Sequence, residues 1–148
     1  MDDSYYMQKT INLARKISES TETRDLPIAA MLVNENGKII AESVNSREKD
    51  CSPLAHAEIN VIQAAAKIKK SWNLSSYTLY VSLEPCAMCA GAILQCHIKK
   101  VVFGAYEPKS GALGSRYNLI TQNLEVKGGF MEEEAGKVLK DFFKKIRT

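Results

Sequence analysis

Residues 78–89 read TLYVSLEPCAMC, and this stretch decides the fold. Its first half is a run of β-branched, aromatic and aliphatic residues, which favours a strand. Pro85 follows, and proline suits the first turn of a helix because its φ angle is already helical and its missing N–H is not needed there. The stretch therefore predicts a strand that leads directly into a helix, with Cys86 and Cys89 in the first helical turn.

The flanking residues predict further strands and another helix. Residues 57–68 are rich in alanine and isoleucine and contain no glycine or proline, so a helix is predicted to begin near His56. Two apolar runs, 28–33 and 38–44, surround Asn36-Gly37, a pair that strongly indicates a tight hairpin between antiparallel strands. Residues 100–105 and 124–126 are also predicted to be strands.

Amphipathic helices are predicted near both ends of the chain. Apolar residues recur at three- and four-residue intervals from Tyr6 to Ser18 and again from Met131 to Ile146. Because both faces of a sheet need cover, a hairpin followed by strand–helix units predicts a mixed sheet between helices. At 148 residues, with no internal repeat or linker, we expect one domain over residues 1–148.

The composition is that of an ordinary soluble globular protein, with 45% hydrophobic and 25% charged residues. Residues 1–6 lack the features of a secretory signal and no apolar run reaches membrane-spanning length, so we expect a cytoplasmic protein without a membrane partner. In that compartment the four cysteines favour metal or redox roles over disulfides. The net charge of +3 permits an RNA partner without requiring one.

A zinc site with an open position is the chemistry that the sequence favours. Cys86 and Cys89 would direct both sulfurs to one side of a helix, and His56 offers a third ligand from another helix start. Three protein ligands leave tetrahedral zinc free to bind water, whose pKa it lowers to about 7. Glu58 lies on a different side of the helix from His56, so we expect it to transfer protons rather than to bind the ion.

Two other interpretations of these cysteines stay open. The zinc site would be closed and structural if Cys51 supplied a fourth ligand, whereas Cys96 and His97 lie roughly 10 Å further along a continuous helix. The Cys-x-x-Cys pair could instead be a redox pair or two buried thiols. His56-Ala57-Glu58 upstream argues against the redox interpretation.

His56-Ala57-Glu58 followed by Pro85-Cys86-Ala87-Met88-Cys89 resembles the H-x-E and P-C-x-x-C signature of the cytidine deaminase superfamily. Within that superfamily, three segments are similar to the bacterial tRNA-specific adenosine deaminases. They are LEPCAMCAGA over 83–92, VVFGA over 101–105 and PKSGALGS over 108–115. The similarity extends over nearly the whole chain.

The resemblance implies a fold, a reaction and partners. The fold would be a cytidine deaminase-like α/β protein, a three-layer α/β/α sandwich with a central mixed five-stranded sheet. The reaction would convert adenosine to inosine at the wobble position of a tRNA anticodon, with the base flipped into the site. A homodimer with one Zn²⁺ per subunit would bind the tRNA anticodon stem-loop.

The resemblance also implies roles for individual residues. The zinc ligands would be His56, Cys86 and Cys89, with Glu58 as the proton shuttle. The substrate would be bound by Asn45, Ala57, Leu83, Glu84 and Lys109. Of these, Ala57 and Glu84 would hold the water and the base, and Lys109 would lie beside the flipped-out nucleotides. Without the resemblance, Asn45 would be interpreted as a turn residue after the second strand.

Some residues depart from the family pattern. Ala29 replaces a usual glycine, Glu107 replaces a common aspartate, and the connection 115–124 is several residues shorter than usual. Two other functions stay open: a deaminase of a free base or nucleoside such as guanine or cytosine, and a catalytically silent, zinc-stabilised RNA-binding subunit. Glu58 argues against the silent subunit, which would not need a proton shuttle.

Overall fold

The computed structural model describes residues 1–20 and 24–147. Within these ranges the chain forms four helices and five strands. In chain order they are α1 (Asp3–Ser18), β1 (Ala29–Val33), β2 (Ile39–Val44), α2 (Ala57–Lys69), β3 (Thr78–Leu83), α3 (Ala87–Gln95), β4 (Lys100–Ala105), β5 (Glu125–Lys127) and α4 (Glu132–Ile146). None of these helices combines the length and the apolar character that a membrane span requires.

The five strands form one mixed sheet in the order β2-β1-β3-β4-β5. β1 is antiparallel to both β2 and β3, whereas β3, β4 and β5 run parallel. Parallel neighbours need a crossover connection, and α3 supplies it between β3 and β4. The predicted mixed five-stranded sheet is therefore confirmed.

Helices cover both faces of the sheet. β1 shows why, because its side chains alternate: Ala29, Met31 and Val33 join the core beneath α1 and α4. Ala30 and Leu32 join the core beneath α2 and α3 instead. A strand buried on both faces needs a helix layer on each, so the three-layer α/β/α sandwich is confirmed.

The hairpin is confirmed, but the start of α3 differs from the prediction. Gly37 has a φ of 79°, in the left-handed region that suits glycine at the tip of the hairpin. Pro85 was predicted in the first helical turn, but α3 begins at Ala87 with Cys86 as its N-cap. The reason is tertiary, because the Pro85 carbonyl accepts the N–H of Ala112 and holds this segment extended.

Candidate metal centre and active site

The N-termini of α2 and α3 meet just beyond the carboxyl end of β3. His56 is the N-cap of α2, Cys86 is the N-cap of α3, and Cys89 lies in the first turn of α3. The Nδ1 atom of His56 lies 3.6 Å from Cys86 Sγ and 3.4 Å from Cys89 Sγ. The three ligand atoms lie within 4.8 Å of one another, so the structure brings the three predicted zinc ligands together.

These three residues fit a zinc ion in chemistry and in spacing. Two thiols and one imidazole are a donor set that zinc prefers. Tetrahedral bonds of about 2.3 Å to sulfur and about 2.0 Å to nitrogen would separate the two donor atoms by about 3.5 Å. The observed sulfur–nitrogen distances of 3.4 and 3.6 Å agree with that value.

A fourth protein ligand does not join the group within the described part of the chain. Cys51 is exposed, on a loop where its own φ is 50°. Cys96 is buried at the end of α3 and donates to the Ile93 carbonyl, and His97 packs beside Trp72. The arrangement therefore supports an open site over the closed, structural one.

The two sulfurs differ in their protonation. The hydrogen bond with Cys89 lowers the pKa of Cys86 to about 4, against the effect of burial, and the hydrogen bond with His56 adds to the lowering. The hydrogen bond with Cys86, together with burial, raises the pKa of the Cys89 thiol far above its usual range. The bond with Cys86 also raises the pKa of His56. Cys86 therefore loses its proton more readily than Cys89, and the resulting thiolate is the form that binds a cation.

Glu58 is a buried carboxyl group beside this cluster. It lies in the first turn of α2 and is only 4% exposed. Burial raises the pKa of Glu58 to about 7, the charge of Cys86 acts in the same direction, and a hydrogen bond with Cys89 opposes it. None of the ion pairs among the described residues involves Glu58. A carboxyl group with a pKa near neutrality can both accept and release a proton at physiological pH.

Asn45 directly follows β2 and is buried. Its N–H donates to the Ile28 carbonyl at 2.9 Å, and its Oδ1 accepts the N–H of Arg47 at 3.3 Å, as a turn asparagine does. It borders an open cavity of about 840 Å³ that is lined mainly by polar residues. The described residues that line this cavity do not include the three cluster residues. The contact of Asn45 with a base stays a prediction.

Glu84 has a role that the sequence did not reveal. Its buried carboxylate accepts the N–H groups of Glu107 at 3.0 Å, Leu113 at 3.0 Å and Ser115 at 3.1 Å, as well as the Ser115 hydroxyl. A Cβ atom on Gly111 would lie 2.3 Å from this carboxylate. Both carboxylate oxygens therefore hold the loop of residues 106–115. A contact of Glu84 with water or base would come from its backbone, and that contact stays a prediction.

The remaining predicted substrate residues lie on three elements. Ala57 is buried as the first residue of α2, and Leu83 is half-buried at the end of β3. Lys109 is exposed on the 106–115 loop, where its N–H donates to the Glu107 carboxylate at 3.0 Å. Lys109 thus belongs to a loop that Glu84 anchors. The roles of all three residues toward a substrate stay predictions.

The chain matches known deaminases along its length. The MafB19-like deaminase family model matches residues 1–147. A tRNA-specific adenosine deaminase of Bacillus subtilis (strain 168) is 45% identical over 150 aligned positions, which cover 98% of this chain and 91% of that protein. The chain belongs to the tRNA-specific adenosine deaminase family. The Haemophilus influenzae member of this family is 39% identical, with 97% and 87% coverage.

Solved structures agree with the membership in this deaminase family. A structure from a study of A-to-I editing by tRNA:A34 deaminases superposes with a TM-score of 0.81 at 35% identity, covering 92% of this chain and 99% of that one. Guanine deaminase from Bacillus subtilis superposes with a TM-score of 0.67 at 27% identity, with 84% and 87% coverage. The chain is therefore a deaminase with the cytidine deaminase-like fold expected from its sequence.

Proposed function

We propose that this chain is a single zinc-dependent domain, residues 1–148, that converts adenosine to inosine at the wobble position of a tRNA anticodon. The observation that carries the proposal is a buried Glu58 beside an open His56, Cys86 and Cys89 group. The substrate follows from relatives 45% and 39% identical that are tRNA-specific adenosine deaminases. Guanine deaminase is the weaker candidate at 27% identity.

One metal ion per subunit would activate the water, and one carboxyl group would transfer the protons. A zinc ion bound by His56 Nδ1 and the two sulfurs would lower the pKa of a coordinated water to about 7. Glu58 takes the first proton that the attacking water loses and delivers it to the ring nitrogen of adenine. It then takes the second proton, from the hydroxyl group now on the attacked carbon, and delivers it to the amino group, which departs as ammonia while the carbonyl forms. Its pKa of about 7 suits both directions of transfer.

The substrate side of the site would orient a flipped-out base. Asn45 contacts the base, while Ala57 and the backbone of Leu83 and Glu84 line the pocket that receives it. Lys109 lies beside the flanking nucleotides. Buried hydrogen bonds hold Asn45 and the 106–115 loop in place, so little order has to be gained when the substrate binds.

The partner in this proposal is the anticodon stem-loop of a tRNA. The family resemblance further suggests a homodimer, and a tRNA substrate suggests the cytoplasm. The net charge of +3 is consistent with an RNA partner of limited contact area. Lys137 of α4 pairs with Asp141 at 2.8 Å, so this face of the helix is solvated.

The direct test measures inosine by mass spectrometry in a panel of tRNAs after incubation with the enzyme. Free guanine, cytosine and adenosine are assayed in parallel, and only a tRNA should react. Preferential deamination of a free base would contradict the proposed substrate.

The glutamate is tested separately. Glu58→Gln should lower kcat by about 10²–10⁴-fold, because the side chain can no longer accept a proton, and it should retain bound zinc by elemental analysis. Glu133→Gln, an exposed carboxylate of α4, is the matched control and should keep full activity. An active Glu58→Gln enzyme would exclude the proton-shuttle role.

A further inference from the structure

We propose that Asn60 is a positioning residue that fixes Asn45 relative to the α2 helix turn bearing His56 and Glu58. The inference rests on the proposed function, in which Asn45 contacts the base. Asn60 belongs to none of the motifs that carry the family resemblance. Its role emerges only from the contacts of its side chain.

The side-chain amide of Asn60 spans Asn45. Its Nδ2 atom donates to the Val44 carbonyl at 3.0 Å and to the Ser46 hydroxyl oxygen at 3.0 Å. These are the residues immediately before and after Asn45, and an NH₂ group has one hydrogen for each. The Ser46 hydroxyl then donates to the Asp50 carboxylate at 2.7 Å, so it has a partner on both sides. Asn45 is thereby held from both directions along the chain.

The position of Asn60 on α2 links this clamp to the metal group. Asn60 is four residues after His56, and its N–H donates to the His56 carbonyl at 2.9 Å. Residues four apart lie on the same side of a helix. One helical turn therefore carries the proposed zinc ligand at one end and the clamp on Asn45 at the other. That rigid turn and the two hydrogen bonds of Asn60 therefore help to fix the separation between the base contact and the metal group.

Other contacts hold the rest of the loop after Asn45. The buried Asp25 carboxylate accepts the N–H groups of Glu48 at 2.7 Å and Lys49 at 3.2 Å. The N–H of Ser46 donates to the Ala55 carbonyl at 2.9 Å. Removing the Asn60 amide should therefore loosen residues 44–46 without releasing the whole loop. A displacement of about 1 Å at a positioned group is enough to lower a reaction rate by up to about 100-fold.

A double-mutant cycle with the tRNA substrate tests the link between the two asparagines. Asn60→Ala should lower kcat/KM by about 10-fold, the scale of residues that orient a functional group. In an Asn45→Ala background the same change should cost less than about twofold, because the group being positioned is gone. Gln63→Ala, an exposed residue of the same helix, is the control and should keep wild-type kcat/KM. Losses that multiply would show that Asn60 acts independently of Asn45 and would overturn the proposal.

A second measurement does not depend on activity. Asn60→Asp keeps the size of the side chain but removes both donated hydrogen bonds, and it replaces Asn60→Ala in the cycle if the alanine variant does not fold. Amide hydrogen exchange over residues 44–47 should become at least about tenfold faster in this variant than in wild type or Gln63→Ala. Unchanged protection would overturn the clamp. If the wild-type enzyme edits no tRNA, the proposed function fails, whereas this measurement still decides whether Asn60 fixes Asn45.

Discussion

Two regions of this protein stabilise carboxylates in different ways. At the candidate active site, Glu84 is buried, its partners are backbone N–H groups and one hydroxyl, and none of the ion pairs in the described ranges involves it. Where α1 meets β4 and β5, Asp3 instead forms ion pairs with Lys100 and Lys127, each at 2.9 Å, and accepts the Tyr80 hydroxyl at 2.6 Å. We call these four residues the Asp3 cluster.

The two kinds of partner have different consequences: those of Glu84 fix the shape of a loop, whereas those of Asp3 only stabilise the fold. Backbone N–H groups cannot move without moving the loop, so the carboxylate of Glu84 fixes the shape of the 106–115 segment. Lysine side chains are long and flexible, so the Asp3 cluster links elements without imposing an accurate loop conformation. We therefore expect changes at the site to affect activity and stability together, and changes in the Asp3 cluster to affect stability alone.

Removal of a metal ligand should produce the largest effect. Cys86→Ala should lose bound zinc by elemental analysis and lower kcat/KM by roughly 10³-fold or more, because a catalytic metal contributes several kcal/mol to the transition state. Cys51→Ala changes an exposed cysteine outside the group and should keep both zinc and activity. If Cys86→Ala retained activity without zinc, the metal-dependent chemistry would be wrong.

The contrast between the two carboxylates is tested next at Glu84. Glu84→Ala should lower the free energy of unfolding by about 2–4 kcal/mol, because four donors of the 106–115 loop lose their acceptor and one of them, the N–H of Leu113, is buried. Editing activity should fall with it. Glu84→Gln, which keeps one acceptor oxygen, should cost about 1–2 kcal/mol. Urea unfolding measures both, and a loss in Glu84→Ala no larger than that of Asp3→Asn would remove the contrast.

Glycine substitutions probe how tightly the loop fits against Glu84. Gly111→Ala should cost about 2 kcal/mol, since its Cβ would lie 2.3 Å from the Glu84 carboxylate and 2.6 Å from the Glu107 carbonyl oxygen. At Gly136, in α4, an added Cβ meets no heavy atom within 4 Å. Gly136→Ala should therefore raise stability by about 0.5–1 kcal/mol. Thermal unfolding distinguishes the two, and equal shifts would argue against close packing of the loop.

The smallest loss of stability is expected at Asp3. Burial alone would raise the pKa of this carboxyl, but hydrogen bonds from Lys127, Tyr80 and Lys100 outweigh it and lower the pKa from 3.8 to about 2. Because the folded-state pKa is depressed, the stabilisation is present above about pH 4 and is lost as the pH falls toward 2. Asp3→Asn should cost about 1 kcal/mol at neutral pH, given solvent screening, and leave editing unchanged.

Unfolding curves from pH 7 to pH 2 check this prediction. The difference between the stabilities of wild type and Asp3→Asn should shrink below about pH 4 and be largely lost near pH 2, where Asp3 is protonated in the unfolded chain and about half protonated in the folded one. A constant difference across that range would mean that the ion pairs do not stabilise the fold through the Asp3 charge. A loss of activity in Asp3→Asn would contradict the separation between the two regions.

Local patterns in the sequence were sufficient to predict the helices, the strands and the proposed metal ligands. The apolar periodicity of α1 and α4, the Asn36-Gly37 turn and the run at β3 each predict one element. The start of α2 near His56 could be predicted because helix propensity acts over a few neighbouring residues. The start of α3 was predicted two residues too early, at Pro85, because the Pro85 carbonyl pairs with Ala112, 27 residues later, and local propensity contains no information on that hydrogen bond.

The amino-acid sequence by itself therefore determined the order of elements, the ligand types and the chemistry that they favour, since these depend on neighbouring residues. Only the tertiary structure decided that Glu84 holds the 106–115 loop and that Asn60 clamps both neighbours of Asn45. These contacts join residues 14 to 31 positions apart. Hydrogen bonds of this kind exist only after the sheet and helices have packed and excluded water, so no local pattern can predict them.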